Sequence, residues 1–249
     1  MPKSWTDEAI VLRTYNVGET DRFCLLLTEK YGRIAARANG VRRLLSRRGS
    51  GLLPLHRVAV VCELHSFGCT AVSASCLDAH TQIWKNPAAF ACAEQGIELI
   101  LQLTEEGPPM PNVYRLTSDF LTACSFAQVQ SFPPIFTLKL LSILGLCPSL
   151  THSSADHRPF SPHEQIVLSR RFGGLTTLGD DPTGIRLSMP LAHVLRHCAE
   201  LPFVDIPAFS DIFLDELLRF VQGLLGSQLG VSLKVPCVRR SMSSAVTPI

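Results

Sequence analysis

Glu8-Ala-Ile-Val-Leu-Arg-Thr14, Arg22-Phe-Cys-Leu-Leu-Leu-Thr28 and Arg33-Ile-Ala-Ala-Arg-Ala38 are three short apolar runs close together near the start of the chain. Runs of this length and composition, bounded by turn residues, read as β-strands. Gly18 lies in the turn region between the first two. Glu29-Lys30-Tyr31-Gly32 joins the second and third as a tight hairpin in which Gly32 can take a positive φ. Residues 57–64 and 69–77, with Phe67-Gly68 between them, supply two more strands. Five such strands within about eighty residues predict a small closed sheet. The OB-fold is a five-stranded barrel of this size that binds oligonucleotides. Strand count alone also admits an SH3-like barrel.

Charge divides the chain in the same way. Residues 1–60 carry 11 Lys/Arg against 5 Asp/Glu, a net +6. The remaining 189 residues carry 12 against 16, a net −4, which together give the overall +2. A basic segment of this kind points to an anionic partner. Between the third and fourth strands, Gly40 to Gly51 holds Arg42, Arg43, Arg47 and Arg48 with no acidic residue among them. Guanidinium groups on a glycine-containing loop can follow a phosphate backbone and release its counterions. The competing reading is a solvated surface loop. Tyr15 and Tyr31, near turns, are candidate stacking surfaces for unpaired bases, whereas Phe23 sits inside an apolar strand and is assigned to the core.

The rest of the chain has helical periodicity. Asn86-Pro87 is a capped helix start, and Phe90, Ala93, Ile97, Ile100 and Leu101 repeat at helical spacing before Gly107-Pro108-Pro109. Further helices open at Asn112, at Pro133-Pro134 (through Leu144), at Ser188/Pro190 and at Ser210. The one from Pro133 is apolar almost all round and is expected at the centre of a bundle. Residues 147–187 are rich in Ser, His, Pro, Gly and Asp and form an irregular insert. The expected class is therefore α+β. It comprises an OB-type barrel over 1–82, a helical domain over 83–240 and a flexible tail over 241–249.

Chemistry-bearing motifs are sparse. The P-loop, dinucleotide fingerprint, HExxH and GxSxG patterns are absent. Cys147, His152, His157 and His163 lie within seventeen residues, but no CxxC element orients two thiolates toward a metal. The neighbours Glu105-Glu106 and Asp180-Asp181 are expected to be solvated and take no acid–base role. Nine widely spaced cysteines, no signal peptide and no apolar run near the ~20 residues of a membrane span predict a reduced, cytoplasmic protein without a membrane partner.

Specific residues add a resemblance. Glu8-Ala-Ile-Val-Leu-Arg13, Gly18-Glu19, Asp21-Arg22, Thr28, Tyr31-Gly32-Arg33, Gly40, Arg42-Arg43 and Gly51-Leu-Leu-Pro-Leu55 follow one another in a series that resembles the N-terminal domain of the bacterial RecO family. The similarity continues through Leu138-Lys-Leu-Leu-Ser-Ile-Leu-Gly-Leu-Cys-Pro148, where Leu146 replaces the family's aromatic, through Ser161-Pro162 and Gly173-Gly174, and into Leu229-Gly-Val-Ser-Leu-Lys234. It implies an OB-fold followed by a helical domain. It also implies a non-enzymatic DNA repair and recombination mediator in the bacterial cytoplasm, associated with the nucleoid. Such a protein binds single- and double-stranded DNA, anneals complementary strands, contacts the acidic C-terminal tail of single-stranded-DNA-binding protein (SSB), and with RecR helps load RecA. By matching position, Arg13, Arg22, Arg33, Arg37, Arg42 and Arg43 become candidate phosphate contacts; Arg47 and Arg48 join them on charge alone. The alternative for Arg13 and Arg22 is an ion pair with Glu8, Glu19 or Asp21. Arg115, Lys139, Arg170 and Arg171 are local positive charges that an SSB tail could use. Many family members hold a four-cysteine zinc module after the leucine-glycine turn. Here that region reads Thr151-His-Ser-Ser-Ala-Asp-His157, so no zinc or other cofactor is expected. The rival functions are a general OB-fold RNA- or single-strand-binding module and an enzyme built on Cys147 and its histidine neighbours.

Overall fold

The computed structural model describes residues 4–42, 51–66, 68–126, 131–161, 163–188, 191, 195, 201–207 and 209–229. The chain forms two compact units, Met1–Ala127 and Gln128–Ile249.

The first unit is built on β1 (Ser4–Val17), β2 (Asp21–Thr28), β3 (Gly32–Ala38), β4 (Arg57–His65) and β5 (Gly68–Asp78). They close into a barrel in the order β1-β2-β3-β5-β4, with β4 returning antiparallel to β1. The closing β3–β5 pair is short and parallel, Ala36 opposite Cys69 and Arg37 opposite Thr70. This Greek-key closure is the OB arrangement, and it removes the SH3-like alternative. Trp5, Ala9, Val11, Cys24, Leu26, Ala36, Val58, Val60 and Cys62 belong to the barrel core. Ile10 and Leu12 alternate with them and are also buried, because side chains one residue apart on a strand point to opposite faces. The apolar run of β1 is thus covered on both faces, with helices outside the barrel.

Those helices are α1 (Thr81–Lys85), α2 (Pro87–Leu103) and α3 (Pro111–Phe126). Asn86 caps α2 as expected, its side chain accepting from the amides of Ala88 and Ala89, with Pro87 in the first turn. The α3 helix packs on β1 and β2, and the Tyr114 hydroxyl donates to Glu8, which also pairs with Arg57. The β2–β3 turn is held from two sides. Asp7 accepts the Lys30 amide, and Thr28 Oγ1 accepts the Tyr31 amide while donating to the Gly32 carbonyl. Gly32 has φ 72, and a Cβ there would lie 2.1 Å from the Pro108 carbonyl oxygen.

The second unit holds α4 (Phe132–Ile143), a three-stranded sheet of β6 (Ile166–Ser169), β7 (Gly174–Thr177) and β8 (Ile185–Arg186) in the order β7-β6-β8, and α5 (Asp211–Leu229). The helix expected from Ser188/Pro190 falls largely outside the described residues, as does the tail from Ser241. The insert differs from expectation, because residues 166–186 form a sheet. Asp180 and Asp181 are more than solvated acids. Asp181 accepts from Ser169 and Thr183, and Asp180 from Thr176 and Thr177. Those hydroxyl donors hold both carboxyls below their ordinary value. The β6–β7 hairpin is pinned by carboxylate–hydroxyl bonds, a short-range pattern that the Ser/Thr/Asp-rich composition concealed.

The Gly32 turn and two buried histidines make the barrel unit testable. Gly32→Ala combines an unfavourable φ with a collision against backbone. It is expected to cost roughly 1–3 kcal/mol in urea unfolding. His56 and His80 are buried beside the β5–α1 junction, and His80 Nδ1 donates to the Leu55 carbonyl at 2.8 Å. Burial pushes both below the ordinary histidine value. The unfolded chain therefore takes up protons first as pH falls. Their stability contribution is complete above pH ~6.5 and declines below it. Thermal melts between pH ~7.5 and ~5.5 should show falling stability, and a His56→Asn/His80→Asn chain should show a flatter dependence.

Candidate nucleic-acid interface

Asp21 and Arg22 are adjacent at the start of β2, and each holds one root of the arginine loop. On the leading side, Asp21 Oδ1 accepts the Gly40 amide at 2.9 Å. Its Oδ2 accepts Arg37 Nη2 at 2.7 Å and Nε at 3.2 Å. The Gly40 amide and then Arg37 hold the Asp21 carboxyl well below the usual range, at about 2. Arg42 completes this root: its amide donates to the Thr20 carbonyl at 2.9 Å and its Nη1 to the Gly18 carbonyl at 3.1 Å. On the trailing side, Arg22 Nη1 donates to the Leu52 carbonyl at 2.8 Å. The β1–β2 turn is thereby fastened to both ends of the segment that carries the loop arginines. The sequence lends itself to this local structure, since Gly18 and Gly40 occupy positive φ where the chain must turn.

The five described candidate arginines therefore have different surroundings. Arg37 and Arg42 are exposed at the leading root, the Arg37 side chain at 55%. Asp21 engages only two of the five Arg37 donors. Arg22 is half-buried as the trailing tie, with an Nε that has no hydrogen-bond partner among the described residues. Arg13 and Arg33 face a different element. Arg13 Nη2 pairs with Glu98 of α2 at 2.8 Å, and its hydrogen bond holds Glu98 below the ordinary carboxylate value. Arg33 Nη1 donates to the Leu101 carbonyl near the end of α2 at 2.8 Å, and its Nε is buried. These two bind α2 to the barrel. The ion-pair alternative thus applies to Arg13 with a different partner from Glu8, Glu19 or Asp21, because α2 brings Glu98 across. Arg43, Arg47 and Arg48 lie outside the described residues.

The two tyrosines also separate. Tyr15, near the end of β1, is 49% exposed and can offer a ring face. Tyr31 packs on Trp5 with ring centroids 4.2 Å apart, so a face of its ring is occupied within the barrel. The part that sequence reasoning missed is Asp21. In the sequence it stands only as a partner able to neutralise an arginine, whereas its larger task is to fix the Gly40 backbone. An acid followed by a gap of nineteen residues to a glycine carries no local signal.

Among the described residues no three His, Cys, Asp or Glu side chains converge as a metal site. Cys147 is a half-buried thiol raised by burial, and His152 bonds Thr151. In the place of metal ligands, Ser153 bonds Thr176 and the Ser154 amide donates to the Leu175 carbonyl, which ties residues 153–154 to β7. Of the four charges considered for an acidic tail, Lys139 donates to the Leu201 carbonyl and Arg115 lies 3.9 Å from Glu29. Arg171 lies over Phe172. No described helix is long and apolar enough to cross a membrane.

The Asp21 geometry makes opposite predictions for two substitutions. Asp21→Asn keeps an acceptor for the Gly40 amide and removes the charge opposing Arg37. Oligonucleotide affinity should be kept or tightened, with a salt slope steeper by about one. Asp21→Ala removes both functions and should weaken binding. A salt series on both variants checks this.

Comparison with known proteins agrees with this architecture. Residues 1–68 match the family model described as Recombination protein O N terminal, and residues 85–236 match Recombination protein O C terminal. A protein of Bifidobacterium longum (strain DJO10A) named DNA repair protein RecO is 33% identical over 190 residues, covering 75% of this chain and 78% of its own. One of the same name from Pelobacter propionicus is 29% identical over 168 residues, covering 65% and 66%. Another from Thermoanaerobacter sp. (strain X514) is 32% identical over 145 residues, covering 57% and 58%. With both halves matched in order, the chain belongs to the RecO family.

Proposed function

We propose that this chain is a DNA-binding recombination mediator in DNA repair, acting without catalysis of its own. It anneals complementary strands and helps RecR place RecA on SSB-coated single strands. The observation that carries this reading is the arginine segment held at both roots by Asp21 and Arg22 on an OB-type barrel. Between Tyr31 and Cys62 the chain has Arg33, Arg37, Arg42, Arg43, Arg47, Arg48 and Arg57 and no acidic residue. Two DNA strands repel each other over roughly a Debye length, about 10 Å at 0.1 M salt. A cationic loop that neutralises phosphates on one strand lowers the cost of bringing up the second. Arg37, Arg42, Arg43, Arg47 and Arg48 are the proposed phosphate contacts, with Tyr15 beside a single-stranded base. Arg13, Arg22 and Arg33 support the surface that these residues occupy. The helical region is proposed to supply the contacts to RecR and to the acidic SSB tail, in the bacterial cytoplasm.

Replacing Arg42, Arg43, Arg47 and Arg48 with Ala should lower DNA affinity by on the order of ten-fold or more. It should also reduce the slope of log K against log salt by roughly 0.7–0.9 for each phosphate that is no longer neutralised. An unchanged slope refutes the loop as the phosphate grip. Annealing of complementary oligonucleotides coated with SSB separates the mediator from a plain RNA- or single-strand-binding module, which should not accelerate it.

A further inference from the structure

The α2 and α3 helices meet in antiparallel register. Gly96 faces Phe120: a Cβ on Gly96 would lie 2.3 Å from Phe120 Cε1, so the two helices approach as closely as they do because that atom is missing. One turn away on each helix, Cys92 faces Cys124 with the sulfur atoms 3.4 Å apart. Both side chains are buried, at 4% and 2% exposure, and both are reduced. A disulfide bond is about 2.05 Å long. Closure therefore needs the sulfurs to approach by little more than an ångström, which side-chain rotation and small helix shifts can provide.

We propose that Cys92 and Cys124 form a redox modification site, a thiol pair that hydrogen peroxide converts into a disulfide stapling α2 to α3. One thiolate attacks the peroxide oxygen, the O–O bond breaks, and a sulfenic acid and one water form. The second thiolate attacks that sulfur, the S–S bond forms, the S–O bond breaks, and the second water leaves. Two thiols are oxidised, one peroxide is reduced, and two waters are produced. The Cys124 sulfur and burial push the Cys92 thiol up, so the reaction is slow near neutrality and faster as pH rises. The staple would act on the helices that clasp the barrel. Glu98 and the Leu101 carbonyl of α2 hold Arg13 and Arg33, and Tyr114 of α3 holds Glu8.

The test is oxidation of the full chain with hydrogen peroxide at pH ~8, followed by alkylation and peptide mapping. The expected product joins the Cys92 and Cys124 peptides and separates again in dithiothreitol. Melting temperature should rise by on the order of 5 °C before reduction and return after it. Cys92→Ser and Cys124→Ser, each melting like the parent under reductant, should give neither change. Gly96→Ala should slow the joining by forcing the helices apart. The proposal is overturned if Cys92 and Cys124 are recovered as alkylated thiols while the exposed Cys76 is oxidised. It is equally overturned if either is joined to another cysteine, or if both end as sulfonic acids.

Discussion

A strand that pairs on both edges and is covered on both faces has no solvent side left, and β1 meets that condition at Ala9 and Ile10. Its amides and carbonyls are shared between β2 and β4, its Ala9 and Val11 side chains enter the barrel, and Ile10 and Leu12 are buried outside it. An OB barrel alone would leave that outer face wet. The helices must therefore dock, and the polar groups at the edge of the docking face set how they do so. Arg13 follows a register shift in β1 between Val11 and Arg13; it emerges beside α2 and meets Glu98. Glu8, at the other end of the run, meets Tyr114 and Arg57. The compact unit consequently extends past the barrel to the end of α3.

The arginine loop is governed by charge instead. A segment with several cations and no anions repels itself, and its ends need anchoring if its position is to be defined. Asp21 supplies an anion at one root, and its charge is kept by the Gly40 amide and Arg37. Arg22 supplies a donor at the other root to the Leu52 carbonyl. The carboxylate of Asp21 also engages Arg37, just ahead of the leading root.

The second unit holds its own short polar segment with hydroxyl groups. Its hairpin of four-residue strands is too small to bury a core by itself. Carboxylates that accept several hydroxyl bonds stay ionised, and such bonds are short and strong. Asp180 and Asp181 thereby fix β6, β7 and the following turn through the hydroxyls of Ser169, Thr176, Thr177 and Thr183. Composition alone assigns all of these groups to solvent.

Short apolar runs bounded by turns, the Gly32 turn and the Asn86-Pro87 cap were legible directly, because strand composition, positive φ and helix capping are set by residues within a few positions of one another. The five strands, α2, α3, α4 and α5 follow from such short-range rules, and the charge split between the halves is a property of the sequence alone. The family resemblance rests on the same local stretches. What only the tertiary structure decided were pairings across long separations. Arg13 with Glu98 is 85 residues apart, Arg33 with Leu101 is 68, Arg22 with Leu52 is 30, and Asp21 with Gly40 is 19. Among the described residues, Arg13, Arg22, Arg33, Arg37 and Arg42 become supports or candidate contacts according to which backbone carbonyl or carboxylate the fold brings within hydrogen-bonding reach. No local pattern carries that information, because a guanidinium bonds whatever acceptor closure of the barrel and docking of α2 place beside it.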